Sequence, residues 1–244
     1  MTSAPPDPTA PSYGPSLPAL LRPWLRRLGR WQRFALVLAL LALVAVGPAL
    51  VIRHAEQIKT YHQSDRDAQA RGLDPFPFNF DYSRTMSLSH PPGTYVRIER
   101  RAGGTLRARF TVSQLDIGRQ RGFVSGFLPI VATRYERQAA HSYPGFRLQF
   151  EGRARVNLVE GYQFAFTAQL AQPGRTAREL FGRVVMLPEP FDHTDPSKSY
   201  PPGQIPTRGL LITMLATTLD NVPSATRVGD QGILQRPYRS FRFC

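Results

Sequence analysis

The sequence predicts an α+β chain, with a single N-terminal transmembrane helix followed by an extracytoplasmic sandwich of antiparallel sheet and helix. Three observations carry this. Nineteen uncharged, mostly apolar residues run from Phe34 to Ile52. From Ser83 onward, apolar and polar residues alternate in several short stretches, as in strands buried on one side. One stretch, Leu128 to Ser142, instead repeats its apolar residues at helical spacing.

The first 20 residues, "MTSAPPDPTAPSYGPSLPAL", are rich in Pro, Ser and Ala and read as a disordered tail. The segment 21–52 is a basic juxtamembrane stretch and a membrane span. At 1.5 Å per residue the apolar run is about 28 Å long, close to the hydrocarbon thickness of a bilayer. Leu36, Leu38, Leu40, Leu41, Leu43 and Val44 cover every face of such a helix, so its solvent is lipid. Ala45 and Gly47 resemble a signal-peptidase site. Against cleavage, Pro48 would follow the cut and the run continues to Ile52, so a retained anchor is expected. Arg22, Arg26, Arg27, Arg30 and Arg33 precede the helix, whereas only Arg53 and Lys59 follow closely. This bias puts the N-terminus in the cytoplasm and exports the rest from the inner membrane. Trp24 and Trp31 suit the interfacial belt.

Residues 53–81 read as a polar helical stalk, "RHAEQIKTYHQSDRDAQA", and then an aromatic strap with Phe76, Phe78 and Phe80 at period two. The domain proper spans 82–244. "TYVRIER" and "TLRARFTV" are strands joined at Gly103-Gly104, a hairpin signal. The helix follows, with Ser125 as its cap and Pro129 in its first turn. "FRLQFEGRARVNL" and "GYQFAFTAQL" form a second hairpin, then come "ELFGRVVMLPE" and "GLLITMLATT". "LLITMLA" is more continuously apolar than the other strands and is therefore a candidate central strand. Between them, "PEPFDHTDPSKSYPPGQIPTRG" is a long Pro-rich loop. A turn or short helix and a last strand, Ser240 to Phe243, close the chain.

This order of elements resembles the PsbP-like superfamily. The resemblance is carried by the "PPGTYVRI" entry, the helix after "SGFLPIVATRYERQA", the "FEGRARVNLVEGYQFAFTAQL" hairpin, "RVVMLP", "GLLITMLATT" and the closing "YRSFRF". It covers Tyr82 to Phe243 and is topological. The Pro-rich loop 188–208 and the arginine content depart from the family pattern. The resemblance implies a sandwich whose members mostly bind and stabilise larger assemblies, and it offers no catalytic residue to carry over.

The formal net charge is +14, and lysine occurs only at 59 and 198. So arginine-heavy a composition, with 23 prolines, matches a high-GC bacterial genome, which accounts for much of the arginine. A basic surface nevertheless attracts acidic partners. Cys244 is the one cysteine, which excludes an intramolecular disulfide and a thiolate zinc site. The histidines fall in no metal spacing, and no nucleophile elbow, phosphate loop or dinucleotide fingerprint occurs. Asp192, His193 and Asp195 are at most a weak cation loop, and a solvated loop is the simpler reading. No catalytic residue, cofactor or metal is therefore assigned. The candidate anion-binding residues are Arg107 and Arg109, which share a strand face, and Arg153 and Arg155, which share another. A solvated outer face is the competing reading of both pairs. The expected role is a non-catalytic, membrane-anchored binding or assembly protein of the cell envelope, with a protein partner. The alternatives are a membrane-tethered envelope enzyme and a binder of anionic polymer or lipid through arginine-rich strands. Export makes nucleic acid an unlikely partner.

Overall fold

Gly103 and Gly104 take φ values of 56° and 76°. A two-residue hairpin turn needs this left-handed backbone, which glycine adopts without steric cost. The pair joins β4 (Thr94–Ala102) to β5 (Thr105–Asp116), as the sequence predicts. Asn157 and Leu158, at 52° and 73°, do the same between β6 (Arg147–Val156) and β7 (Val159–Gln172). With β3 (Ser87–Ser89), β8 (Arg175–Pro188) and β9 (Arg208–Thr217) these strands form one sheet. Its order is β3–β4–β5–β9–β8–β7–β6, and every neighbouring pair is antiparallel. The "LLITMLA" stretch is thus the central strand.

The computed structural model describes residues 57–119, 123–172, 175–192, 195–198, 200–201 and 204–244, together with Gly29, Trp31, Gln32 and Ala35. The chain divides into two units, Met1–Glu56 and Gln57–Cys244. The tail 1–20 and, apart from Ala35, the apolar run Phe34–Ile52 lie outside the described residues. Among the described residues no helix is long and apolar enough to cross a membrane.

Both faces of the large sheet are apolar at its centre, so both must be covered. Along β7 and β8, Phe164, Phe166, Leu180, Val184 and Met186 face one side. The helix α2 (Val124–Ser142) covers that side with Phe127, Leu128, Val131 and Ala132. Gly182 is required here because the Phe166 ring occupies the place of its missing Cβ. The opposite side, with Phe110, Val112, Val185, Ile212 and Met214, packs on a second layer. That layer is a three-stranded sheet in the order β1–β2–β10, made by β1 (Ile58–Gln63), β2 (Phe78–Ser83) and β10 (Arg242–Phe243). Phe76, Phe78, Phe80 and Phe241 are fully buried in it. Ring centroids lie 5.1 Å apart for Phe80–Phe110 and 5.2 Å for Phe78–Phe241. The strap's period-two aromatics are therefore one wall of the main core.

Three expectations are corrected. The segment read as a helical stalk is strand β1, paired with β2 from Ile58↔Ser83 to Gln63↔Phe78. Helix propensities differ by only a few tenths of a kcal/mol per residue. Tyr61 packs its ring 5.3 Å from that of Phe80 and donates its hydroxyl to Gln63, and this burial outweighs them. Helix survives only in α1 (Asp65–Gln69), where Ser64 Oγ accepts from the Asp67 amide at 3.2 Å. Second, α2 begins at Val124 with Phe123 at the cap position, so Ser125 is the second helical residue and not the cap. Third, Ser240 ends the short helix α3 (Gln235–Ser240), and the last strand is only Arg242–Phe243.

Phe80→Ala removes a fully buried ring from the contact between the two sheets. It should cost about 3–5 kcal/mol of unfolding free energy, measured by urea denaturation followed by circular dichroism. A loss below about 1 kcal/mol would mean that the strap does not seal the core.

Candidate ligand cleft

The Asn157–Leu158 turn has a consequence for the surface. A type I′ turn favours glycine at its second position, and a left-handed leucine costs about 1–2 kcal/mol. Leu158 accepts this conformation and is 49% exposed. It stands at the rim of a cleft of about 500 Å³. One wall is the β6–β7 hairpin, with Arg153, Arg155, Leu158, Glu160 and Tyr162. Phe123 and Leu128, at the start of α2, form the floor's edge. The other wall is the Pro-rich segment, with Phe191, Lys198, Tyr200, Pro201 and Gln204.

The described residues of that segment are held by specific bonds. Arg208 of β9 grips the Glu189 carboxylate with two bonds, Nε to Oε2 at 2.9 Å and Nη2 to Oε1 at 3.0 Å. Tyr200 donates its hydroxyl to the Glu189 carbonyl at 2.6 Å, and its ring meets Phe191 edge-on at 5.5 Å. Burial, with the Glu189 charge adding, pushes the Tyr200 hydroxyl up to about 12. It therefore stays a neutral donor at any physiological pH. Lys198 Nζ closes on Asp192 Oδ2 at 2.6 Å, and Asp195 accepts from Ser197. Asp192 is thus matched by a lysine of its own loop. His193 lies outside the described residues. Among the described residues no group of three or more His, Cys, Asp or Glu side chains could hold a metal ion.

The four candidate arginines do not form one site. Arg107 and Arg109 lie on β5, and Arg153 and Arg155 on β6. Three strands separate β5 from β6, a distance of about 19 Å at the usual strand spacing. Arg109 Nε binds Glu99 Oε1 at 2.7 Å, and Arg101 Nε binds Glu99 Oε2 at 2.9 Å. Burial raises the Glu99 carboxyl, but the Arg101 and Arg109 guanidiniums outweigh it and hold the group below its ordinary range. Arg109 is thereby engaged within the chain. Arg107 has its Nε buried and lies close enough to Asp220 to act on its charge. Arg153 and Arg155 are exposed and line the cleft. Sequence reasoning separated the two pairs by face but missed the apolar rim of Phe123, Leu158 and Phe191, which are 80%, 49% and 43% exposed.

A second polar feature adjoins the cleft at Tyr162. Glu136 of α2 faces Glu151 of β6, and Tyr162 faces both from β7. Burial, then the Glu151 charge, raises the Glu136 carboxyl above its ordinary value.

No protein-family model matches the chain, and no curated protein matches it. Among solved structures, it is similar to the solution structure of cyanobacterial PsbP (CyanoP) from Synechocystis sp. PCC 6803. The identity is 13%, the match covers 77% of this chain and 93% of that one, and the TM-score is 0.41. The likeness is one of fold at a low score, and it assigns no residue, ligand or partner here. The α+β assignment stands on the strand pairing and layers described above.

The Glu136–Glu151 pair gives a pH prediction. A carboxyl raised in the folded state contributes stability below its unfolded pKa and loses it as pH rises through the folded value. Glu136→Gln keeps an uncharged side chain at all pH. The variant should melt higher than wild type at pH 7.5, with the gap closing toward pH 4.5 in thermal denaturation. A gap that widens on acidification would contradict the arrangement.

Proposed function

We propose that the chain is a membrane-anchored, extracytoplasmic binding protein without catalytic activity, and that it works within a cell-envelope assembly. The observation that carries the reading is the cleft. It pairs an exposed apolar rim with two exposed arginines, on walls held by hydrogen bonds and ion pairs. Exposed apolar patches framed by polar groups mark interaction sites. Phe123, Leu158 and Phe191 suit apolar side chains of a partner, and Arg153 and Arg155 suit its carboxylates. The occupant that fits is therefore an acidic, partly apolar segment of another envelope protein.

The membrane anchor is inferred from the sequence: the length and apolarity of Phe34–Ile52, Pro48 after the would-be cut, and the arginines before the span. That topology places the cleft outside the cytoplasmic membrane. A second reading, binding of anionic envelope polymer or lipid, is favoured by Arg153 and Arg155 together with the net charge of +14.

Crosslinked pull-down of the full chain from native membranes tests the first reading. Wild type should retain a partner at near-stoichiometric yield. Arg153→Glu with Arg155→Glu should weaken retention by roughly a hundredfold, about tenfold for each charge-assisted bond. Leu158→Asp should weaken it as well. Loss with the arginine changes alone, alongside salt-sensitive retention on a heparin-like resin, would transfer the assignment to polymer or lipid. A full yield from the triple variant would refute the cleft as the site. A reporter that is active only in the cytoplasm, fused after Cys244, should be silent.

A further inference from the structure

The outer edge of β6, whose Arg153 and Arg155 also line the cleft, is open along its length. β6 is the last strand of the large sheet and, among the described residues, no strand pairs with its outer side. The opposite end of the sheet is β3, only three residues long, which protects itself by brevity. β6 is ten residues long and contains no proline, and Leu148 and Phe150 are 43% and 46% exposed. A long open edge with exposed apolar side chains is a template for another strand.

The two-residue turn makes Val156 and Val159 a hydrogen-bonded pair, and such pairs alternate along an antiparallel ladder. Ala154 and Gly152 then point their amides and carbonyls at β7. Glu151, Arg153 and Arg155 point theirs outward. Gln163 Nε2 reaches across Gly152 to the Arg153 carbonyl at 3.1 Å, and this oxygen keeps a second lone pair.

The order of side chains along this edge selects a partner. We propose that β6 pairs antiparallel with β6 of a second copy, about a two-fold axis at Gly152, making one continuous sheet across a homodimer. In this register Glu151 lies opposite Arg153 of the second copy, twice, as outward-facing pairs that exchange backbone hydrogen bonds. Phe150 lies opposite Ala154, and Gly152 opposite Gly152. The small residues leave room for the two Phe150 rings, each of which already leans toward Gly152 of its own chain. Neighbouring registers are worse. Centring on residue 151 sets Glu151 against Glu151, centring on 153 sets Arg153 against Arg153, and centring on 154 sets Arg153 against Arg155. Like charges directly opposite destabilise a ladder. The edge charges thus block slippage while admitting one register.

The charges inside one chain point the same way. Glu136 and Glu151 face each other with Glu136 Oε1 buried and unpartnered, and no Lys or Arg forms an ion pair with either carboxylate among the described residues. Arg153 of the second copy supplies that missing cation.

The test uses the full chain with Cys244→Ser, in detergent or native membranes. Gly152→Cys places two thiols across the axis in a non-hydrogen-bonded pair, where Cα atoms approach within disulfide reach. It should oxidise to a covalent dimer about tenfold faster than Ala154→Cys or Arg147→Cys, by local concentration of the thiols. Light scattering of the wild-type chain should give the mass of a dimer. Glu151→Arg should split it, and Glu151→Arg combined with Arg153→Glu should restore it. A monomeric wild-type mass, or equal oxidation at 147, 152 and 154, would overturn the proposal. So would a double charge swap that fails to rescue. The mass of the wild-type chain and the oxidation of Gly152→Cys need no cleft partner and so fail separately from the cleft reading; Arg153 also lines the cleft, so its exchange bears on both.

Discussion

The structure depends on one constraint, a central sheet that is apolar on both faces and has to be covered twice. Along β7, β8 and β9 both parities of side chain are buried. The helix α2 covers one face and the aromatic strap with the C-terminal segment covers the other. Burying an aromatic or aliphatic side chain contributes about 1.5–3 kcal/mol, so neither cover can be omitted from a marginally stable domain. At the β4–β5 end of the helix-side face an ion cluster takes the place of apolar cover. There Glu99, 11% exposed, holds Arg97, Arg101 and Arg109 within 4 Å.

The cleft arises where the covers meet. The start of α2, the β6–β7 hairpin and the Pro-rich segment converge there without closing. The strain at Leu158 and the exposure of Phe123 and Phe191 are all concentrated at this junction. Folding alone does not call for a leucine in a left-handed turn, where glycine would serve better. Strained backbone gathers at sites that bind, and here it coincides with two cleft arginines that have no ion-pair partner among the described residues. Charge that is already matched, as around Glu99, serves packing. Unmatched charge beside apolar rim is what the proposed partner would engage.

The legible parts of the fold were those set by local pattern. Alternation gave the strands, Gly103-Gly104 gave one hairpin, and the mostly apolar run Leu210–Ala216 gave the central strand. The strand β1 was hidden because its residues are good helix formers and its partner, Phe78–Ser83, lies some 20 positions downstream. Non-local pairing overrides weak local propensity there. The engagement of Arg109 was within reach of the sequence: a tight turn at Gly103-Gly104 brings β4 against β5, and Glu99 falls opposite Arg109. The cleft was not, because its walls come from residues near 123, 153–162 and 188–204, and nothing local announces that they converge.

The central claim is that this junction is where the protein meets its partner. Site-specific photocrosslinking in native membranes tests it most directly. A photoreactive residue would replace Leu158 or Phe191 in the full chain, and Leu88 on the far edge of the sheet would serve as control. The account predicts one discrete adduct from 158 and 191 and none from 88. Adducts of equal yield from all three positions, or none from 158 and 191, would contradict it.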